Sequence, residues 1–113
     1  MLEQVSPLAL SDWISEVQAH GRPVLLDVRE PWELQTASVK PPGMDLRAIP
    51  MGVLVARLHE LDRTVPVACL CHHGARSMQV ANFLARQGFS TVANVSGGID
   101  AWSRDLDPSI ARY

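Results

Sequence analysis

The sequence lacks the features that would place the chain in a membrane, on nucleic acid or in a secretory pathway. It has no run of eighteen apolar residues, which excludes a transmembrane helix. Ten basic and twelve acidic residues give a net charge of −2 without a basic cluster, so we expect no nucleic-acid or membrane partner. The opening stretch MLEQVSPLALSDWISEV has no basic segment and carries acidic residues, which is not the pattern of a signal peptide.

Cysteine is also scarce, since the chain has only Cys69 and Cys71. If this run is a strand, we expect the two side chains to point to opposite faces or to diverge at the strand end, so a disulfide between them is geometrically poor. Free thiols are typical of a reducing compartment, and the sequence therefore predicts a cytoplasmic protein.

What the chain does have is the composition of an ordinary globular protein, with 47% hydrophobic and 19% charged residues in 113. This length predicts one domain over residues 1–113. Short apolar runs predict strands at 24–28, 46–49, 65–70 and 91–95. Helical spacing predicts helices at 11–19 with Ser11 as N-cap, 53–61, 77–87 between Ser77 and Gly88, and 100–104, with a helical turn at Pro31 and an irregular loop over 35–45.

Strands that alternate with helices predict an α/β fold, in which a mostly parallel central sheet has helices on both faces. Ligands of such sheets bind at the carboxyl ends of the strands. Two segments come directly after predicted strands and carry polar residues, namely 27–30 and 71–76. We therefore expect the functional site where these two segments meet.

Cys71 stands between an apolar strand and an amphipathic helix, in the stretch CLCHHGARSMQVANFLARQGF. Backbone N–H groups at the start of a helix bind anions, and a thiolate is an anion. Gly74 permits a positive φ that would turn successive loop amides inward. A buried structural cysteine is the plain alternative for Cys71, but its position favours a reactive thiolate. Cys69 lies inside the strand and is predicted to be a core residue.

The two histidines of this loop, His72 and His73, raise the question of a metal site. Adjacent residues do not usually converge on one ion, so we expect no metal. Each imidazole either lines the pocket or contributes only its backbone amide, and the sequence leaves both readings open.

Arg76 has two possible roles: it contacts an anionic substrate, or it pairs with Glu30 or Asp27 and locks the loop, which we favour. The hydroxyl of Ser77 can also face the sulfur. Asp27 is expected to accept hydrogen bonds from the loop and Arg29 to anchor the neighbouring turn. With Glu30 they would support the site rather than react, whereas a surface salt bridge is the plain alternative.

Three segments together resemble the rhodanese-like sulfurtransferases: LLDVREPWEL at 25–34, CHHGARSMQVANFLARQGF at 71–89 and NVSGGIDAW at 94–102. They match that family's D-V-R-E, C-x-x-G-x-R-S and G-G-I-x-A-W motifs in order. The resemblance covers about 10–105, with 106–113 as a tail, and implies a three-layer α/β fold.

The resemblance also implies a reaction, in which Cys71 takes a sulfane sulfur from a donor such as thiosulfate. The resulting persulfide would be cradled by the loop, whose residues are His72, His73, Gly74, Ala75, Arg76 and Ser77. Cyanide, a thiol or a sulfur-carrier protein would then accept the sulfur, without a metal or an organic cofactor.

The chain departs from the family pattern after 34, where TASVKPPGMDLRAIPMG replaces a G-H-I-x-G-A stretch. That region shapes the pocket rim, so the departure bears on the substrate side. The end of the chain, VSGGIDAWSRDLDPSIARY, is similar to rhodanese domains fused to activating enzymes of ubiquitin-like sulfur carriers. This similarity implies a protein acceptor.

Two other functions compete with sulfur transfer. The first alternative is a cysteine-dependent phosphatase or arsenate reductase. Phosphatases of the same fold use a Cys-x5-Arg loop, whose arginine binds an oxyanion through two hydrogen bonds. Only four residues separate Cys71 from Arg76, and the shorter loop favours a single sulfur atom. The second alternative is a non-catalytic binding module, but such members usually lack the cysteine.

Overall fold

The computed structural model describes residues 2–113, which form one five-stranded sheet with helices on both faces. The strands are β1 Leu2–Val5, β2 Val24–Asp27, β3 Asp45–Ala48, β4 Val67–Leu70 and β5 Val92–Val95. The α-helices are α1 Leu10–Val17, α2 Pro31–Thr36, α3 Ala75–Arg86 and α4 Gly98–Ala101, which continues as a π-helical turn over Trp102–Leu106. Shorter 3-10 turns lie at Pro7–Ala9, Gln18–His20, Met51–Val53 and Leu58–Glu60.

The sheet has the strand order β1-β5-β4-β2-β3, and every neighbouring pair is parallel. Asp27 of β2 pairs with Leu70 of β4, so these two central strands end side by side. The two polar segments that follow them therefore meet at one edge of the sheet, as the sequence predicted.

Successive strand residues point to opposite faces of the sheet, and helices cover both faces, so the side chains on both faces are buried. On one face Leu25, Leu70 and Val95 pack in a cluster with residues of α1 and α4. On the other face Leu26 and Val92 pack with residues of α3. The predicted α/β class and its helices on both faces are confirmed.

Helix α3 begins two residues earlier than predicted, because Gly74 adopts a left-handed conformation with φ of 107° and turns the loop directly into the helix. Ser77 is therefore not the N-cap and lies in the first helical turn. The helix ends as predicted before Gly88, whose φ is 88°, and the Phe89 N–H donates to the Leu84 carbonyl.

Other local predictions were wrong at the start of the chain. Strand β1 was missed because it is a four-residue edge strand whose middle residues are exposed. Ser11 does not cap α1, since the 3-10 turn Pro7–Ala9 leads into this helix and is itself capped by Ser6.

The helix predicted over 53–61 is absent, and two 3-10 turns joined by ordinary turns replace it. Leu54 and Leu61 are buried, but the β-branched Val53 and Val55 are exposed. β-Branched side chains disfavour a helix, and only part of the apolar residues in this segment is buried. Packing therefore stabilises a helix here too little, and the tighter 3-10 turns form instead.

Cys69 and Cys71 are both free and pack in the same cluster on the α3 face of the sheet. The expectation that their side chains point apart was wrong, because side chains two residues apart in a strand share a face. None of the helices within residues 2–113 is long and apolar enough to cross a membrane.

Candidate active site

Cys71 follows β4 directly and opens the loop that leads into α3. Its Sγ accepts a hydrogen bond from the Gly74 N–H at 3.1 Å, and the residue is 1% exposed. The positive φ of Gly74 aims this N–H back at the sulfur. A side chain at this position would also press on Gly97, since an added Cβ would lie 3.2 Å from the Gly97 nitrogen. The loop thus places a backbone donor on a nucleophilic atom at the start of a twelve-residue helix.

Ser77 provides a second polar contact to the sulfur. Its Oγ lies 3.2 Å from Cys71 Sγ and 2.6 Å from Asn94 Oδ1. The Asn94 Nδ2 donates to Gln4 Oε1 at 3.0 Å and lies 3.4 Å from the Gly74 carbonyl, which leaves Oδ1 facing Ser77 as an acceptor. The single Ser77 proton therefore donates either to Asn94 or, after rotation, to an anionic sulfur.

The backbone carbonyls of Cys71 and His72 are hydrogen-bonded to the start of α4. The Ile99 N–H donates to the Cys71 carbonyl at 2.9 Å, and the Asp100 N–H donates to the His72 carbonyl at 3.0 Å. An added Cβ at Gly98 would lie 2.5 Å from the Cys71 carbonyl oxygen, so only glycine permits this approach. Gly98 thus allows close packing of α4 beside the loop.

Arg76 is locked by an ion pair, but its partner is Glu33 and not the expected Glu30 or Asp27. Arg76 Nη1 and Nη2 donate to the two Glu33 oxygens at 2.7 and 2.8 Å. The Glu30 N–H donates to the same carboxylate at 3.1 Å. Hydrogen bonds from Arg76 lower the pKa of Glu33 to about 2, against the opposing effect of burial, so this carboxylate is ionised at neutral pH.

Asp27 and Arg29 form a buried ion pair at the end of β2, with side chains 1% and 0% exposed. The Asp27 oxygens accept from Arg29 Nε at 2.9 Å, Nη2 at 2.7 Å and the Arg29 backbone N–H at 3.1 Å. The expectation that Asp27 accepts hydrogen bonds from the Cys71 loop was therefore wrong, as was the alternative of a surface salt bridge. Arg29 Nη1 lies 3.4 Å from the Glu33 carbonyl, which places it against the neighbouring helix α2.

The rings of His73, His72 and Tyr113 form a stack beside the loop. The His72 and His73 centroids are 3.9 Å apart, and those of His72 and Tyr113 are 3.8 Å apart with planes 6° from parallel. Tyr113 also donates its hydroxyl proton to Glu33 Oε2 at 2.7 Å and accepts from Arg29 Nη1 at 3.0 Å. This residue joins the end of the chain to the site.

His72, His73 and Asp100 bring three potential metal ligands within 4.8 Å of one another. The two imidazoles stack on each other, with ring planes 30° apart. The Asp100 carboxylate already accepts from Arg112 at 3.0 and 3.3 Å. The expectation of no metal remains a prediction.

Sequence reasoning missed three residues at the site: Glu33, Asn94 and Tyr113. Asn94 had a signal, because it is a polar residue inside an apolar strand and is 2% exposed. Glu33 had a weaker signal in its position one turn after the polar segment 27–30. Tyr113 had none, since only the folded chain brings it to the loop.

Cys69 lies at 0% exposure in the interior of β4, as predicted. Burial raises the pKa of this thiol, with a smaller contribution from Cys71. The thiol therefore stays neutral and behaves as a small apolar side chain.

A family model described as the rhodanese-like domain matches residues 10–105. The chain is 30% identical over 111 residues to a sulfurtransferase of Allochromatium vinosum, with 98% of this chain and 97% of that protein covered. It is 43% identical over 91 residues to the chloroplastic rhodanese-like/PpiC domain-containing protein 12 of Arabidopsis thaliana. That match covers 79% of this chain but only 30% of the plant protein.

Among solved structures, the chain is similar to a rhodanese-related protein of Thermoplasma volcanium, with a TM-score of 0.75 and 28% sequence identity. The similarity covers 98% of this chain and 99% of that one. The agreement therefore extends over the whole arrangement of sheet and helices, including the edge that carries Cys71.

Proposed function

This chain belongs to the rhodanese-like family, and from that premise we propose that it transfers a sulfane sulfur through a persulfide on Cys71. Relatives named sulfurtransferases support sulfurtransferase activity in general. The observation that carries the specific proposal is the hydrogen bond from the Gly74 N–H to Cys71 Sγ, at the start of α3. A donor in this position stabilises an anionic sulfur as an oxyanion hole stabilises oxygen.

In the first half-reaction the Cys71 thiolate attacks the outer sulfur of a donor such as thiosulfate. A new S–S bond forms, the donor's S–S bond breaks, and sulfite leaves with the electron pair. The negative charge stays on sulfur throughout and ends on the outer atom of the persulfide. The Gly74 N–H and the Ser77 hydroxyl are the groups placed to hold anionic sulfur.

In the second half-reaction an acceptor attacks the outer sulfur of the persulfide and releases the Cys71 thiolate. Cyanide gives thiocyanate, and the thiol of a small molecule or of a carrier protein takes the sulfur in the same way and becomes a persulfide. Because the donor product leaves before the acceptor reacts, the kinetics are ping-pong. The residues named here need no metal or organic cofactor for these steps, and a free thiol nucleophile fits a reducing compartment such as the cytoplasm.

A cysteine-dependent phosphatase or arsenate reductase remains the alternative chemistry. It would need Arg76 to clamp a tetrahedral oxyanion with two parallel hydrogen bonds. Here those donors already bind the two oxygens of Glu33. This engagement favours sulfur transfer over the phosphatase alternative. Against a non-catalytic binding module stands the presence of Cys71 with a backbone donor on its sulfur.

The test is steady-state transfer from thiosulfate to cyanide, with thiocyanate as the readout. We expect parallel double-reciprocal lines for the wild-type chain and no activity for Cys71→Ser. Activity that survives in Cys71→Ser would overturn the proposal. Hydrolysis of p-nitrophenyl phosphate by the same preparation, dependent on Cys71, would favour the phosphatase alternative.

For the physiological acceptor we propose a ubiquitin-like sulfur-carrier protein, on the resemblance of residues 95–113 to the fused rhodanese domains. In this transfer the outer persulfide sulfur attacks the activated C-terminal acyl carbon of the carrier and the activating group leaves. An added thiol then attacks the Cys71 sulfur, which breaks the S–S bond and leaves a thiocarboxylate on the carrier. The test mixes the persulfide form of the chain with a purified, acyl-activated carrier and an added thiol, and measures the carrier's mass. Sulfur that leaves Cys71 for small thiols but never for such a carrier would overturn this acceptor.

A further inference from the structure

The segment 107–113 is fixed along its length, although it contains no helix or strand. The Asp107 N–H donates to the Trp102 carbonyl at 2.9 Å, and Ser103 Oγ donates to the Ile110 carbonyl at 2.6 Å. Arg112 binds Asp100. These contacts lead the segment back across α4 and deliver Tyr113 to the loop.

Tyr113 contacts the loop system from two sides. Its ring stacks on His72, the residue that follows Cys71. Its hydroxyl donates to Glu33, which holds Arg76 in the first turn of α3. The two points that Tyr113 restrains therefore lie on either side of Gly74, whose N–H contacts the sulfur.

The stack is the contact that accounts for the orientation of His72. Its Nε2 is buried and has no hydrogen-bond partner within residues 2–113. The ring is therefore held at that edge by packing alone, between His73 and Tyr113, and removal of the Tyr113 ring would free one of its two faces. Burial raises the pKa of Tyr113, so its hydroxyl keeps its proton and donates to Glu33 throughout the neutral range.

We infer that Tyr113 is a positioning residue for Cys71: it fixes the loop at His72 by stacking and at Arg76 through Glu33. This inference rests on the proposed function for its consequence in sulfur transfer. We expect Tyr113 to keep the Gly74 N–H and the Ser77 hydroxyl directed at Cys71 Sγ. Loss of Tyr113 would leave all groups that touch the sulfur in the chain but loosen their geometry.

The test compares Tyr113→Phe, which keeps the ring stack, with Tyr113→Leu, which loses both contacts. Ser109→Ala is the matched control, because Ser109 is exposed and lies on the same segment. Within residues 2–113 its side chain makes a single hydrogen bond, which it donates to Asp107. The first readout is the single-turnover rate of persulfide formation with saturating thiosulfate. The second is the pH profile of Cys71 alkylation by iodoacetamide, which needs no sulfur donor.

We expect Tyr113→Phe, which loses the hydroxyl contact, to slow persulfide formation about threefold. Tyr113→Leu also loses the ring stack, and we expect it to slow the reaction about tenfold. The alkylation profile should move to higher pH in the same order, while Ser109→Ala matches the wild type. Because the hydroxyl acts through Glu33, Tyr113→Phe should add no further slowing in a chain that already carries Glu33→Gln.

Identical rates and alkylation profiles for the wild type and both Tyr113 variants would overturn the inference. Slowing confined to Tyr113→Leu, with a lower melting temperature and an unchanged alkylation profile, would assign Tyr113 a merely structural role and also overturn it. If the wild type forms no persulfide but the alkylation profile still shifts in the variants, the proposed function fails while the positioning role stands.

Discussion

Cys69 and Cys71 are two thiols on the same face of one sheet, two residues apart in one apolar cluster, and they differ in the polar groups around the sulfur. Cys69 pairs in register with Asn94 inside the sheet and has apolar neighbours. Cys71 lies one residue past the end of β4, where the chain turns and a backbone N–H reaches its sulfur. Both are almost fully buried, so exposure does not separate them.

The difference between the two cysteines is the presence of hydrogen-bond donors. Burial without donors favours the neutral thiol, whereas donors at a helix start favour the anion. The donors exist at Cys71 because Gly74 takes a positive φ and because Gly98 lets the loop approach α4. Under the proposed function, the loop that follows the strand therefore decides which of the two thiols reacts.

The largest effect is expected when the Gly74 N–H, the backbone donor to Cys71, is displaced. In Gly74→Ala the new side chain meets a φ of 107° and lies 3.2 Å from the Gly97 nitrogen. We expect a loss of about 1–2 kcal/mol in the free energy of unfolding, from the left-handed conformation. Sulfur transfer should fall at least about a hundredfold, because relief of this strain would move the preorganised N–H of residue 74 away from the sulfur.

The matched control for that variant is Gly88→Ala, which also has a positive φ but has nothing within 4 Å of the added Cβ. It should lose similar stability, measured by urea unfolding, and keep its transfer rate. A Gly74→Ala chain with an unchanged rate would contradict the role given to this amide.

A smaller effect is expected from Glu33→Gln, which removes the charge that locks Arg76. Hydrogen bonds from Arg76 lower the pKa of Glu33 from 4.5 to about 2 in the folded chain. Its ionisation therefore contributes stability that is complete above about pH 4.5 and is lost as the pH falls towards 2, on the order of 3 kcal/mol.

Urea unfolding between pH 2 and 6 measures this contribution as the difference between wild type and Glu33→Gln. The difference should shrink as the pH falls through that window. A difference that stays constant down to pH 2 would show that the Glu33 charge adds nothing to the fold. At neutral pH we expect the variant to transfer sulfur about tenfold more slowly, since Arg76 is then free to move.

The smallest effect on activity is expected at Cys69. Cys69→Ala removes one buried sulfur atom and should cost about 1 kcal/mol in the free energy of unfolding. Its transfer rate should match the wild type, because its thiol takes no part in the reaction. A rate that falls with Cys69→Ala while thermal stability is retained would make Cys69 a second sulfur carrier.

The same contrast shows what the sequence can predict. Strands β2 to β5, the loop after β4 and the positive φ of Gly74 could be predicted, because each depends on a short stretch of residues. The partner of Arg76 could not, since Glu33 is 43 residues away and reaches it only after β2 and β4 align. Tyr113 is 80 residues away from its partner Glu33 in sequence, and an edge strand with two exposed residues such as β1 gives almost no pattern.

Intact mass after incubation with thiosulfate tests the central claim most directly, with wild type, Cys69→Ala and Cys71→Ser measured side by side. We predict a gain of one sulfur atom, about 32 Da, in the wild type and in Cys69→Ala, and its loss on addition of cyanide. Cys71→Ser should gain nothing. A sulfur adduct that persists in Cys71→Ser, or one that disappears in Cys69→Ala, would contradict the assignment of sulfur transfer to Cys71.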